Sequence, residues 1–163
     1  MGTFILDLEK SVSEALRNRG FMLVTAESCT GGLIAKKITD LAGSSSVLER
    51  GYVTYSNQSK IDLLNVPETI LKEHGAVSPE TAQNMAKGAL KNSQAQIAVS
   101  VTGIAGPGGG TDDKPVGLVY IGYAKDGQEA IAHEFHFHGS RADIREQTSR
   151  AALSLILEQL GVA

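Results

Sequence analysis

Apolar residues fall along the chain in two kinds of run, and their alternation predicts the fold. Phe4, Ile5, Leu8, Val12, Ala15 and Leu16 recur at helical spacing over residues 4–19, and Gly20 closes that stripe. FMLVTA at 21–26 is apolar throughout and of strand length. Residues 30–41 return to helical spacing, with Thr30 as the expected N-cap and Gly43 beyond the end. GYVTYS at 51–56 is rich in β-branched and aromatic residues and predicts a strand. Short helices are expected near 57–64 and 67–74, and a longer one over 78–92, capped by Ser78 with Pro79 at its first position. AQIAVSVTG at 95–103 is another apolar strand and feeds the loop GIAGPGGGTDDKP. VGLVYIGYA at 116–124 and EAIAHEFHFH at 129–138 are expected to pair as a hairpin across Lys125-Asp126-Gly127. A last helix over 141–160 starts behind Ser140, with Asp143 as capping-box partner. Its stripe is Ile144, Thr148, Ala152 and Leu155, and Gly161 ends it.

Apolar strands that alternate with helices need cover on both faces, so the fold class is α/β, a three-layer α/β/α sandwich. The hairpin makes its sheet mixed, though mostly parallel. No linker, repeat or low-complexity tract divides the chain, and residues 1–163 read as one domain. Sites in such sheets gather beyond the carboxyl ends of the strands. The residues after 26, after 55 and after 102 are therefore expected to share one cleft.

Composition narrows the function. A net charge of −3 argues against binding nucleic acid by neutralising phosphates, and aromatics at 5% with no Trp argue against a base-stacking platform. Apolar runs are too short to span a membrane, and MGTFILDLEK has no basic segment of the kind that opens a signal peptide. A single cysteine, Cys29, cannot form an internal disulfide, which fits a reducing cytoplasm. A small-molecule substrate, a cytoplasmic location and a homo-oligomer of open size are expected.

Three segments carry candidate chemistry. In Glu27-Ser28-Cys29-Thr30-Gly31-Gly32, a strand-to-helix turn offers backbone N–H groups to an anion, or its glycines merely let helix and strand pack. In AGSSSVLERGYVTYSNQSK (42–60), the serines read either as a solvated turn or as nucleophiles served by Lys60. A lysine does that work only when burial or a nearby cation pulls its pKa well below about 10.4. The third, Thr102 to Gly110, lacks a P-loop ending and the dinucleotide fingerprint. Its bare backbone at Gly103 and Gly106 is either a flexible connection or a close approach to a ligand. Glu134, His136 and His138 alternate onto one strand face, as a zinc site or as a solvated row. Arg141 and Arg145, four apart on a helix start, form either a solvated basic edge or a phosphate fork.

Together TAESCTGG, ITDLAGSS, ERGYVTYSN with Lys60, HGAVS, SVTGIAGPGGG, KPVGLVY and GSRADIR resemble the C-terminal domain of the CinA (competence/damage-inducible) proteins over nearly the whole chain. The resemblance implies an α/β/α fold and a nicotinamide-nucleotide amidohydrolase, which converts nicotinamide mononucleotide and water to nicotinic acid mononucleotide and ammonia. It implies no cofactor and no metal. Many family members carry an additional N-terminal molybdopterin-binding-like domain, and this chain is expected to act without it and without a pyrophosphatase activity. The resemblance places the nucleophile at Ser45 and its base at Lys60, with Tyr55 holding or relaying to the lysine. Ser28, Thr102, Arg141 and Arg145 match other site residues. The turn containing Gly43 and Ser46, together with Ser28 and Gly31, would supply oxyanion or substrate contacts. Cys29 is expected to pack beside the site without reacting. A metal hydrolase built on Glu134, His136 and His138, and a non-catalytic nucleotide sensor, are the competing readings.

Overall fold

The structure, a computed structural model, describes residues 7–162. Phe4 and Ile5, expected to begin the first helical stripe, lie outside the described residues. Five strands form one sheet in the order β2-β1-β3-β4-β5: β1 (Leu23–Glu27), β2 (Leu48–Val53), β3 (Ile97–Gly103), β4 (Leu118–Lys125) and β5 (Ile131–His136). β1 pairs in parallel with both β2 and β3, while β4 pairs antiparallel with β3 and with β5. Four strands thus run one way and β4 runs against them. The mixed sheet expected from the hairpin is present.

Helices α1 (Leu8–Arg19), α2 (Leu33–Thr39) and α6 (Arg141–Gln159) cover one face, and α3 (Asn57–Leu64), α4 (Glu68–His74) and α5 (Pro79–Lys91) cover the other. β3 shows why its run is apolar throughout. Ile97, Val99 and Val101 enter the core under α1, α2 and α6, while Ala98 enters the opposite core. Ser100, one of two buried polar residues of the strand with Thr102, donates its hydroxyl to the Ala82 carbonyl of α5 at 2.6 Å. Each large aliphatic side chain so buried contributes about 1.5–3 kcal/mol.

Two predicted boundaries move, and both movements shape the site. α2 begins at Leu33 behind Gly32, not at Thr30, because the Thr30 hydroxyl is given to the Glu27 carboxylate at 2.7 Å. β2 spans 48–53 and not 51–56, because its ladder partner among the described residues, β1, ends at Glu27 opposite Val53. Thr54 and Tyr55 therefore leave the sheet. At the start of α6 the predicted capping box is formed: Ser140 Oγ accepts from the Asp143 N–H at 3.1 Å, and the Ser140 N–H donates to Asp143 Oδ2 at 2.9 Å. Donation from the Ser140 N–H, and then the Ser140 side chain beside it, hold the Asp143 carboxyl below its ordinary range. Among the described residues no helix is long and apolar enough to cross a membrane.

Candidate active site

The chain leaving β1, the segment after β2 and the loop after β3 open on one cleft of about 270 Å³ at the carboxyl ends of these strands. Ser28, Tyr55, Lys60, Thr102, Gly103, Gly106 and Arg141 line it, with Cys29 beside Ser28. A larger hollow of about 490 Å³ lies between α5 and the β4–β5 turn, but its polar lining (Gln83, Asn84, Lys87, Gln128, Glu129) holds no activated nucleophile. The smaller cleft gathers the candidate groups Ser28, Tyr55, Lys60 and Arg141.

Lys60 is the unusual residue. Ser56 caps α3 by accepting from the Ser59 N–H, and the helix then turns Lys60 into the protein, where it is 1% exposed. Its Nζ lies 2.8 Å from the Thr54 carbonyl, 3.3 Å from the Tyr55 carbonyl and 3.1 Å from Ser28 Oγ. Burial pushes its pKa from 10.5 down to about 8, since the charged form loses its water. The partner set serves both states: an ammonium gives one N–H to each of the three acceptors, while a neutral amine gives its two N–H groups to the carbonyls and turns its lone pair to the Ser28 hydroxyl, the one partner that can itself donate.

The turn bearing Ser28 is tightly held. Glu27, buried at the end of β1, accepts from the Thr30 hydroxyl and from the N–H groups of Ile34 (2.9 Å) and Ala35 (3.1 Å). This carboxylate does the capping that Gly32 cannot. Arg145 reaches over from α6 and donates to the carbonyls of Cys29 and Thr30, each at 3.1 Å. Cys29 is 5% exposed, and burial pushes its thiol up to about 11. A thiol that weakly acidic is protonated at neutral pH and is a poor nucleophile.

Across the mouth, Arg141 donates to the Gly106 carbonyl and to the Tyr55 hydroxyl, both at 2.9 Å. Tyr55 is 60% exposed, so a flat ring stands at the opening. The loop must approach closely: a Cβ on Gly106 would come within 2.5 Å of Val116 Cγ1, and its φ of +78° already favours glycine. Thr102 is buried and donates its hydroxyl to the Ala76 carbonyl at 2.7 Å.

The expected nucleophile is not in this cleft. Ser45 belongs to the short 3₁₀ turn Ser44–Ser46 that precedes β2, at the amino end of the strand, whereas Ser28 and Lys60 lie beyond the carboxyl end of the sheet. β1 alone spans the distance from Leu23, paired with Leu48, to Glu27, paired with Val53, and at about 3.3 Å per residue this separates the two serines by roughly 15 Å. No lysine side chain bridges that gap. Gly43 and Ser46 share the misplacement: the Gly43 carbonyl and Ser46 Oγ both accept from Arg17 of α1. Gly31 lies behind the cleft, its N–H given to the Ser28 carbonyl at 3.0 Å. The expected pair of arginines is divided, with Arg141 at the cleft and Arg145 on the turn behind it. Glu27 was not anticipated, although its place at the end of an apolar strand, before an uncapped helix, is the signal for a buried capping carboxylate.

The histidine row does not form a metal site. Glu134 accepts from the Tyr120 hydroxyl and bonds His136 at 3.1 Å, while His138 lies beyond the end of β5. Among the described residues no three His, Cys, Asp or Glu side chains group to hold an ion.

Residues 5–160 match the family described as the CinA C-terminal domain. The chain belongs to that family. A CinA-like protein of Chloroherpeton thalassium is 50% identical over 161 residues, covering 97% of this chain, and the chain spans only 38% of that relative's length. Nicotinamide-nucleotide amidohydrolase PncC of Escherichia coli strain K12 is 47% identical over 155 residues, covering 95% of this chain and 94% of that protein. Among solved structures, the competence/damage inducible protein CihA of Agrobacterium tumefaciens superposes with a TM-score of 0.89 at 46% identity, over 99% of both chains. The likeness to solved CinA-family structures and to an amidohydrolase thus runs over nearly all of the chain.

Proposed function

We propose that this CinA domain is a nicotinamide-nucleotide amidohydrolase that converts nicotinamide mononucleotide and water to nicotinic acid mononucleotide and ammonia, with Ser28 as nucleophile and Lys60 as its base. The observation that carries the reading is the 3.1 Å contact between Ser28 Oγ and a buried Lys60 whose pKa is brought down to about 8. The likeness to PncC supports this choice of substrate.

In this mechanism neutral Lys60 takes the Ser28 proton as Oγ attacks the carboxamide carbon. The C=O electron pair moves to oxygen, and backbone N–H groups of the turn after Ser28 stabilise the charge. Lys60, now protonated, gives its proton to the amide nitrogen as the C–N bond breaks, and ammonia leaves an ester on Ser28. Water then repeats the sequence: Lys60 takes its proton, the hydroxide oxygen forms the new bond, and the proton returns to Ser28 Oγ as the acid departs. The fixed positive charge of the pyridinium ring favours the neutral lysine. Arg141, which with Lys60 supplies the cationic side chains of the lining, meets the phosphate, and Tyr55 stands beside it at the mouth.

Ammonia release from nicotinamide mononucleotide, followed for the wild type and Ser28→Ala with and without chelator, tests the proposal. The wild type should turn over whether or not chelator is present, and Ser28→Ala should lose on the order of 10³-fold or more. Binding without ammonia release would indicate a nucleotide sensor, and loss of activity to chelator would indicate a metal hydrolase.

A further inference from the structure

Ser28 stands on irregular backbone between the last ladder bond of β1 and the first turn of α2, so its position depends on what grips that backbone. Glu27 holds donors on one side: the Thr30 hydroxyl and the N–H groups that open α2. Arg145 holds acceptors on the other, with Nε on the Cys29 carbonyl and Nη2 on the Thr30 carbonyl, each at 3.1 Å. The guanidinium lies against Gly31, where a Cβ would stand 3.5 Å from Nη2 on backbone of φ +60°. Arg145 does not line the cleft.

The Cys29 carbonyl and the Thr30 N–H belong to one planar peptide unit and point in opposite directions. A guanidinium that fixes the first therefore fixes the second. Thr30 is fully buried and does not line the cleft, so the clamp acts on the backbone path that carries Ser28. A planar fork with two separate N–H donors suits two neighbouring carbonyls, and an ammonium group, a single point of charge, does not.

We infer that Arg145 is a positioning residue: by clamping the Cys29 and Thr30 carbonyls it keeps Ser28 within reach of Lys60. This rests on the Ser28–Lys60 reading above. Arg145 touches neither substrate nor the reacting atoms, so its removal lowers kcat and leaves KM in place. Displacement of a nucleophile by a fraction of an ångström to an ångström costs roughly 10- to 100-fold in rate.

The test compares wild type, Arg145→Ala, Arg145→Lys and Glu146→Gln. A fluorophosphonate probe gives the labelling rate and final stoichiometry at Ser28, and nicotinamide mononucleotide gives kcat and KM. Glu146→Gln is the control for docking of α6, because it removes the 2.6 Å ion pair to Lys37 of α2 without touching the turn. Arg145→Ala should still label to one probe per chain, but labelling rate and kcat should fall roughly 10- to 100-fold, with KM within about twofold. Arg145→Lys should recover part of the loss, free guanidinium ion should partly rescue Arg145→Ala, and Glu146→Gln should stay near wild type. Wild-type kcat in Arg145→Ala would overturn the inference. So would a loss that merely tracks the fraction of chains able to label, or an equal loss in Glu146→Gln. If the wild type labels at Ser28 yet releases no ammonia, the substrate reading fails and the labelling arms still decide the role of Arg145. If Ser28 does not label at all, the dyad fails and this inference with it.

Discussion

Replacing Lys60 by Met removes the one titrating group on which the proposed chemistry depends, and stability measures its pKa without any substrate. In the folded protein burial brings the Lys60 pKa from 10.5 to about 8. Below pH 8 both folded and unfolded chains hold the proton, and the folded chain bears the full cost of a buried ammonium. Between pH 8 and 10.5 the folded chain has released the proton while the unfolded chain keeps it, so stability rises with pH. Above 10.5 both are neutral and the cost is gone. The linkage amounts to about 3 kcal/mol at pH 7 and below about 1 kcal/mol at pH 10. Lys60→Met also leaves the Thr54 and Tyr55 carbonyls without their donor, but that loss does not change with pH and cancels in the comparison. Urea unfolding of both proteins from pH 7 to 10 is the assay. Wild type should gain about 2.5 kcal/mol relative to the variant across this range. Parallel curves would refute a depressed lysine, and a wild type that weakens with pH relative to Lys60→Met would mean that the site stabilises the cation.

Three further outcomes are expected. Cys29→Ala and Ser45→Ala should retain most amidase activity while Ser28→Ala loses it, as end-point ammonia assays would show; loss confined to Ser45→Ala would restore the 3₁₀ turn as the nucleophile's seat. The rate should rise with pH along an acid limb near 8, because only neutral Lys60 accepts the proton, and Lys60→Arg should be nearly inactive at every pH below the guanidinium range. Arg141→Ala should weaken the mononucleotide by roughly tenfold to over a hundredfold in kcat/KM and nicotinamide riboside little, since one charge-assisted bond contributes about 1.5–3 kcal/mol; equal losses on both would place the phosphate elsewhere.

The hydrophobic pattern predicted the layers because a buried strand and an amphipathic helix need different spacings. It also located the Ser140–Asp143 capping box and the sheet-end cleft, all of which are local or follow from topology. The pattern could not show which serine meets Lys60. Ser45 and Ser28 both neighbour a strand, but Ser45 precedes β2 and Ser28 follows β1, and that difference depends on where β2 begins. β2 begins at Leu48 because β1 is there to pair with it, a contact between segments that no single window of sequence contains. Applied strictly, the rule that sites lie beyond carboxyl ends favours Ser28. The separate fates of Arg141 and Arg145 were hidden for a related reason. Spacing puts both on one helical face, but only packing determines that the first meets the cleft loop and the second the backbone behind it.

The central claim is that the acyl group of the substrate rests on Ser28. Rapid acid quench of the enzyme during turnover of nicotinamide mononucleotide, followed by peptide mass analysis, tests it most directly. An adduct equal to the mononucleotide less ammonia should appear on the peptide containing Ser28, should map to the serine and not to Cys29, and should be absent from Lys60→Arg. An adduct on Ser45 or Cys29, or one that forms as readily without Lys60, would contradict the account.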